Sequence, residues 1–381
     1  MNQSNEKEGI YVHFPFCRSK CLYCDFYSLP VPRVDWERFA VAVENEYRLR
    51  VDTGEKGILR SLYLGGGTPS LAPSEVIRRL REMVKGPVGE FTIEVNPEDV
   101  SEEKATGWKE AGVNRISMGV QSLDDSELRR VGRRHTGEDA RRAYDILRPY
   151  FDNVSLDLMF GLPGQNIKSL EKTIDGFLDM RPEHISAYSL MFEERSALTR
   201  LRDAGRIEEL PEEDSVEMFR LLNHKLREGG YERYEISNYS LPGRRSRHNS
   251  NYWKGYPYIG LGPGAHSYDG QDRRSYNIPD LKRYLEVWGE EGSRKPESVR
   301  EEEILSKEEL REELLLTRLR MKEGLDTAEY AARFGEREMR ELLRKAERYI
   351  SAGQLELIGE KELTLTEEGV MISDEIISSL F

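Results

Sequence analysis

Phe16-Cys17-Arg18-Ser19-Lys20-Cys21-Leu22-Tyr23-Cys24-Asp25-Phe26 contains every cysteine of this 381-residue chain. The spacing is C-x-x-x-C-x-x-C. Three thiolates on one short loop suit three irons of a cubane cluster, because iron–sulfur clusters are held by cysteine thiolates. With no fourth cysteine, one iron stays open and can take a small molecule through its amino and carboxylate groups. Two other readings compete. Zinc accepts a Cys3His set, and His13 lies close upstream; the spacings typical of zinc, however, are built from C-x-x-C pairs. Unligated buried thiols would not cluster this tightly by chance, and an odd cysteine in a reducing compartment needs no disulfide partner. The cluster reading is favoured.

The rest of the chain bounds the setting. Its length suits one large α/β domain plus a smaller one. The N-terminal MNQSNEKEGI is polar and lacks the apolar core of a signal peptide. No stretch has membrane-spanning length, so a soluble cytoplasmic protein is expected. A formal net charge of −13 argues against nucleic acid as a partner, where a basic footprint is expected. Basic runs do occur, from Arg129-Arg130 to Arg134 and at Arg244-Arg245-Ser246-Arg247. The first reads as a solvated face; the second adjoins a motif taken up below.

Short β-branched or aromatic segments alternate with helical patterns. Strands are predicted near Ile10–Phe14, Ser61–Leu64, Phe91–Val95, Arg115–Val120, Val154–Phe160 and His184–Leu190. Helices are predicted at Val34–Arg50, Ser74–Val84, Glu102–Ala111, Gly137–Leu147 and Ile167–Leu178. Pro73 followed by Ser74 and Glu75 suits a helix start, where the missing N–H costs nothing and acidic groups favour the dipole. Alternation of this kind implies parallel βαβ units, and six of them fit an open or partial barrel. The fold class is therefore α/β, a partial (β/α)6 barrel followed by a smaller C-terminal domain. The core is expected over 1–235 and a connecting segment rich in Gly, Tyr and Asn over 236–300. The last domain, 301–381, reads as helical and winged-helix-like. Helical, charge-rich sequence runs to about Gly229, and a strand is expected at Tyr234–Ser237. Leu314, Leu315, Leu316 and Leu319 form an expected buried stripe, and helix Glu336–Ser351 precedes a hairpin of Leu355–Ile358, a Gly-Glu-Lys turn and Glu362–Leu365. The acidic balance makes that unit a protein-packing element rather than a DNA reader.

Barrel enzymes place their chemistry at the C-terminal ends of the strands. The Ser61–Leu64 strand runs into Gly65-Gly66-Gly67-Thr68-Pro69, where consecutive glycines let a ligand approach the backbone. It is a poor phosphate loop, since the Gly-Lys-Ser/Thr ending is absent. Glu94 sits among apolar residues, a costly place for an unpaired carboxylate. Gln121 closes the following strand, Arg133 lies on a helical stretch, and Asp157 lies within Ser155–Phe160. Each alone reads equally as a strand-end cap or a local ion pair. Four on successive elements of one rim suit a zwitterionic amino acid and a ribose.

These residues resemble a known family. Tyr11-Val12-His13-Phe14-Pro15-Phe16-Cys17, the GGGTPS of Gly65–Ser70, the Glu94 strand, the MGVQS of Met118–Ser122 and the DLMFGLPGQ of Asp157–Gln165 are similar to the HemN/HemW branch of radical S-adenosylmethionine (SAM) proteins. That branch contains the oxygen-independent coproporphyrinogen III oxidase and the haem chaperone HemW, and the resemblance is nearest to the chaperones. It implies that Cys17, Cys21 and Cys24 ligate a [4Fe-4S] cluster, and that the glycine run meets the methionyl amino group of SAM. It also implies that Tyr11, Tyr23, Gly66, Gly67, Thr68, Glu94, Gln121, Arg133 and Asp157 line the SAM site.

Two departures separate this chain from the oxidase. Phe26 stands where the oxidase motif has a further cysteine, and only sixteen residues precede Cys17, whereas the oxidase has a long segment there. In their place is His248-Asn249-Ser250-Asn251-Tyr252-Trp253, followed by Tyr258 to His266, which matches the H-N-x-x-Y-W motif linked with haem in the chaperone. A neutral imidazole can ligate haem iron. On this reading His248 is the ligand, Tyr252 and Trp253 pack on the macrocycle, and Arg244, Arg245 and Arg247 pair with propionates. The competing reading has His248 and Asn249 holding a loop together and Trp253 in the core. His135, His184 and His224 are isolated and read as structural. The resemblance thus implies a haem-binding chaperone with haem and an acceptor protein as partners. Peripheral membrane docking and homodimerisation are left open. The alternative is a radical enzyme that abstracts a propionate β-hydrogen from coproporphyrinogen III.

Overall fold

The computed structural model describes residues 6–30, 33–51, 58–289, 296–359 and 361–381. The first five residues of the polar N-terminus, residues 290–295 of the expected connecting segment and Glu360 of the predicted turn lie outside these. Six strands form the barrel core: β1 (Glu6–Phe14), β2 (Ile58–Gly66), β3 (Val88–Val95), β4 (Arg115–Gln121), β5 (Val154–Phe160) and β6 (His184–Ser189). They pair in sequence order and in parallel. Helices α1 (Trp36–Arg50), α2 (Ser74–Met83), α3 (Glu102–Glu110), α4 (Asp125–Arg130), α5 (Gly137–Leu147) and α6 (Ile167–Met180) lie between them. Helix starts follow local chemistry: Thr136 and Asp139 form a capping box at α5, and Asn166 and Ser169 form one at α6.

Strand side chains alternate between faces, and here the two faces differ in kind. Ile10, Val12, Leu62, Leu64, Phe91, Ile93, Ile116, Met118, Leu156 and Leu158 belong to one buried apolar core. Burying each such side chain contributes about 1.5–3 kcal/mol. The intervening residues are largely polar: Ser61 and Tyr63, Thr92 and Glu94, Arg115 and Ser117, Ser155 and Asp157, His184 and Ser186. Parallel strands buried on both faces normally read as unbroken apolar runs. A polar inner face is what a ligand-holding lumen requires.

The sheet extends beyond the six expected strands. Tyr258–Leu261 pairs in parallel with the free edge of β1, and His266–Tyr268, Arg273–Asn277 and Arg300–Ile304 follow as antiparallel strands. Asn238–Ser240 and Glu232–Glu235 extend the β6 edge, giving twelve strands in an open row. Residues 236–300 thus add strands to the barrel sheet itself. The strand expected at Tyr234–Ser237 is instead a hairpin whose turn is formed by Ile236 and Ser237. Glu46 of α1 fastens the added strands. Fully buried, it pairs with Arg50 and accepts from Gly262 N at 2.9 Å, Asn277 Nδ2 at 2.7 Å and the Tyr284 hydroxyl at 2.7 Å.

The C-terminal unit has its own core, built by helices Lys307–Leu319, Thr327–Phe334 and Glu336–Ser351 with a three-stranded antiparallel sheet. Leu314, Leu315 and Leu319 are buried, but Leu316 is 40% exposed. At 3.6 residues per turn it points away from the Leu315–Leu319 face. Arg318 donates to Trp253 O at 2.7 Å and Arg245 pairs with Glu323 at 2.5 Å, joining this unit to the barrel.

Candidate cluster and cofactor site

The cysteine loop lies at the C-terminal end of β1. Leu22 N donates to Val131 O at 3.1 Å and Leu198 N donates to Leu22 O at 2.8 Å, so the turn after α4 and the helix start near Ala197 grip its middle. Lys20 Nζ donates to Phe26 O at 3.1 Å, and Arg18 pairs with Asp99 at 3.0 Å. Cys17 is buried and receives the Thr68 hydroxyl at 3.5 Å; Arg133 Nη1 lies 3.6 Å from Cys21 Sγ. Burial pushes the thiols of Cys17 and Cys24 up. The donor set fits an iron–sulfur group: three thiols on one loop, one reached by a guanidinium and one by a hydroxyl. Among the described residues no three Cys, His, Asp or Glu side chains stand in metal-holding geometry. The thiols are therefore gathered on one loop without converging. His13 is turned away, its ring nitrogens occupied by the Tyr11 hydroxyl at 3.0 Å and Tyr27 O at 2.8 Å.

The glycine run passes directly over this loop. A Cβ at Gly67 would lie 2.6 Å from Phe16 O and 2.8 Å from Phe14 O, backbone atoms that cannot yield. Gly66 holds φ +110°, a conformation that glycine adopts at no steric cost. Its N–H donates to Glu94 Oε2 at 3.0 Å, and the Tyr63 hydroxyl donates to Glu94 Oε1 at 2.8 Å. Burial, with the nearby charge of Asp157, pushes the Glu94 carboxyl up to about 7 despite these bonds. Asp157 lies opposite Gly119 in the register, receives Ser117 at 3.4 Å, and is pushed by burial up to about 6. No ion pair serves either acid among the described residues. Two acids in one lumen, both with raised pKa, suit a ligand that brings positive charge and hydroxyl groups.

Arg133, expected on a helical stretch, lies instead in the loop between α4 and α5 and joins the two halves of the site. Nη2 donates to Asn96 Oδ1 at 2.8 Å and Gly119 O at 2.5 Å, while Nε is buried without a partner. Asn96 in turn donates to Thr68 Oγ1 at 3.3 Å. Gln121 takes φ +69° at the end of β4, where the pairing with β5 slips by a residue between Gly119 and Gln121. Such bulges re-aim side chains at sites. Tyr23 packs beside Val131, Met159 and Leu162. The structure thus brings Tyr11, Tyr23, Gly66, Gly67, Thr68, Glu94, Gln121, Arg133 and Asp157 to one end of the barrel with the cysteines.

His248 packs directly behind that rim, its ring 6.2 Å from that of Tyr11. It is 3% exposed; Nδ1 meets the Ser61 hydroxyl at 2.8 Å and Nε2 meets the Tyr252 hydroxyl at 2.9 Å. Its ring stacks on Tyr63 at 4.6 Å. Burial, with Arg115 nearby, lowers its pKa to about 3. Both nitrogens are committed, which is the loop-holding arrangement rather than an open iron ligand. Likewise Arg245 is taken by Glu323, Arg244 by Asp152 at 3.7 Å, and Trp253 lies under Arg320 at 5.5 Å.

His248→Ala is expected to cost about 1–3 kcal/mol, since it leaves the Tyr252 hydroxyl without its partner and leaves Ser61 only its bond from Asn251 at 3.3 Å; a fall in the urea midpoint measures it. The unfolded imidazole protonates near 6.5 and the folded one only near 3, so stability falls as pH drops through that window. The variant should lose part of that slope.

Sequence reading missed Arg115, Tyr63, Asn96 and Glu90. Arg115 is 1% exposed on the inner face, the buried cation that opposes the raising of both Glu94 and Asp157. Glu90 caps the His248 helix by accepting from Arg247 N and His248 N at 3.0 Å each. Period-two polarity along β3 and β4 was the available signal.

Comparison with known proteins places this architecture. Residues 11–176 match the radical SAM superfamily model, and residues 305–372 match the HemN C-terminal domain. The chain is 34% identical to the Heme chaperone HemW of Bacillus subtilis, over 98% of each. It is 32% identical to that of Mycobacterium tuberculosis, over 98% of this chain and 94% of the relative. It is 30% identical to the zebrafish (Danio rerio) mitochondrial radical S-adenosyl methionine domain-containing protein 1, over 98% of this chain and 86% of the relative. In fold it is similar to the Escherichia coli coproporphyrinogen III oxidase HemN, at a TM-score of 0.81 and 21% identity over 98% of this chain and 89% of that one. With the cysteine loop, the glycine run and a separate C-terminal core, these likenesses make the chain a member of the HemW family of radical SAM proteins.

Proposed function

We propose that this protein is a haem chaperone: it binds haem, carries a [4Fe-4S] cluster with SAM, and passes haem to an acceptor protein. The observation that supports it most is the full-length similarity to proteins named haem chaperones, at 34% identity over 98% of the chain. The likeness to coproporphyrinogen III oxidase is one of fold, and Phe26 departs from the oxidase motif.

Cys17, Cys21 and Cys24 would hold the cluster. The bound cluster supplies an electron source and one open iron for the amino and carboxylate groups of SAM. Around it, Glu94 and the Gly66–Gly67 backbone would receive the ammonium group. The unpartnered Nε of Arg133 offers a donor to a carboxylate, and Asp157 and Gln121 offer acceptors to ribose hydroxyls. Tyr11 and Tyr63 are held neutral by burial, with the Glu94 charge adding to the effect, so they donate rather than ionise. Thr68 steadies Cys17. Pairing of two copies and docking at a membrane face belong to the same proposal; among the described residues no helix is long and apolar enough to cross a membrane.

Anaerobic titration of the cluster-loaded chain with haemin, followed at the Soret band, tests the reading. Saturation near one haem per chain is the expected result. Failure to saturate would return coproporphyrinogen turnover to first place.

A further inference from the structure

The chain has six histidines. His13, His184 and His248 use both ring nitrogens within the fold, His135 bonds Val120 O and faces Glu98, and His224 pairs with Glu228. His266 differs: among the described residues its ring has no hydrogen bond and no ion pair. It opens the strand His266–Tyr268 after a turn in which Gly262 and Gly264 hold φ of +95° and +79°. Across the strands it faces Tyr276, ring on ring, at 5.1 Å and 22°.

This imidazole lines a cavity of about 560 Å³ with Phe26, Tyr27, Tyr252, Tyr258 and Tyr276. That volume falls within the ~300–1,000 Å³ of small-molecule and cofactor sites. Phe26 is 69% exposed, a large apolar side chain left on the cavity wall two positions after Cys24. An exposed apolar surface beside stacked aromatic rings suits a flat apolar ligand. A free imidazole among them suits a ligand with a metal at its centre.

We propose that His266, rather than His248, is the axial ligand through which this chain holds haem iron, with the macrocycle in the Phe26–Tyr276 cavity. The proposal deepens the haem-chaperone reading and rests on it. Ligation at His266 breaks no bond present in the fold, whereas ligation at His248 must break its bonds to Ser61 or Tyr252 and unpack a stacked, buried ring. Partial desolvation at the cavity wall, with Arg274 nearby, keeps the His266 imidazole below its ordinary pKa, hence neutral and able to donate its lone pair. The same cavity wall carries Asp25 and Phe26, so haem would lie against the loop that bears the cysteines.

The test is the haemin titration of the full, cluster-loaded chain, with His266→Ala, His266→Gln and His248→Ala beside the natural protein. Electron paramagnetic resonance reads the iron's ligand field. The natural protein should saturate. Both His266 variants should bind at least about tenfold more weakly, equivalent to about 1.4 kcal/mol, with a shifted Soret band that added imidazole restores. His266 is exposed, so their thermal melts should match the natural protein. His248→Ala should keep the natural spectrum at temperatures where it is folded. If the natural protein saturates and both His266 variants match it in spectrum and within twofold in affinity, the His266 assignment falls and the chaperone reading stands. If the natural protein itself does not saturate, both fall.

Discussion

Replacing Cys21 with alanine is expected to abolish the sulfur-to-iron charge-transfer absorption of the reconstituted protein and to reduce its iron from about four to under one per chain. Two thiolates leave half a cubane without protein ligands, and the loop has no other cysteine to recruit. The loss should exceed any stability change, because Cys21 is only partly buried and is one of three free thiols on the loop. His13→Ala is the companion measurement. A zinc site of the Cys3His kind would lose its metal in that variant, whereas a cluster held by thiolates alone would keep its iron. One zinc per chain in the natural protein, lost on His13→Ala, would sink the cluster reading. The hydrogen bonds that tie His13 to Tyr11 and Tyr27 make that outcome unexpected.

Much of this arrangement was legible in the chain because local chemistry and fold agree. Helix Gly137–Leu147 and strand Val154–Phe160 lie where the sequence pattern predicts them. The rim residues stand out as polar groups at the ends of apolar strands, so Glu94 and Asp157 could be picked out one by one. What stayed hidden depends on register and on long-range partners. Arg115 at a strand start reads like a surface cation. Only its place on the inner face beside the Glu94 and Asp157 strands makes it the buried counter-charge of the lumen. Tyr258–Leu261 is four residues long and reads as loop, yet it pairs with β1 because Glu46, more than two hundred residues earlier, gathers Gly262, Asn277 and Tyr284 around one carboxylate. His248 shows the same limit in reverse. Its motif looks like a ligand's, but Ser61 and Tyr252, which occupy its nitrogens, cannot be assigned to it without the fold. His266 closes the Tyr258–His266 segment quoted beside that motif but was given no role, since being unpartnered is also a fact of three dimensions.

Glu94→Gln is expected to weaken binding of a SAM analogue by about 10²–10³-fold. The change keeps the shape of the side chain and removes its charge. Removing one partner of a charge pair in a dry site costs about 3–5 kcal/mol, and 1.4 kcal/mol is tenfold. The pH dependence separates this from a packing defect. In the free protein Glu94 takes its proton near 7, against 4.5 for the ordinary carboxyl. The folded state therefore binds more protons than the unfolded one between those values, and stability falls as pH rises through that window. Binding an ammonium group has the opposite preference, because it needs the carboxylate. Below pH 7 each bound ligand must displace a proton, and affinity should fall about tenfold per pH unit until Asp157, near 6, begins to protonate as well. Calorimetry in two buffers of different ionisation enthalpy would count that proton. The glutamine variant should bind weakly with a shallow pH profile below 7 and be more stable than the natural protein at pH 8, where the charge of Glu94 costs most. A variant that binds as tightly as the natural protein, or keeps the full pH profile, would remove Glu94 from the ammonium site and leave the two raised acids without a shared ligand.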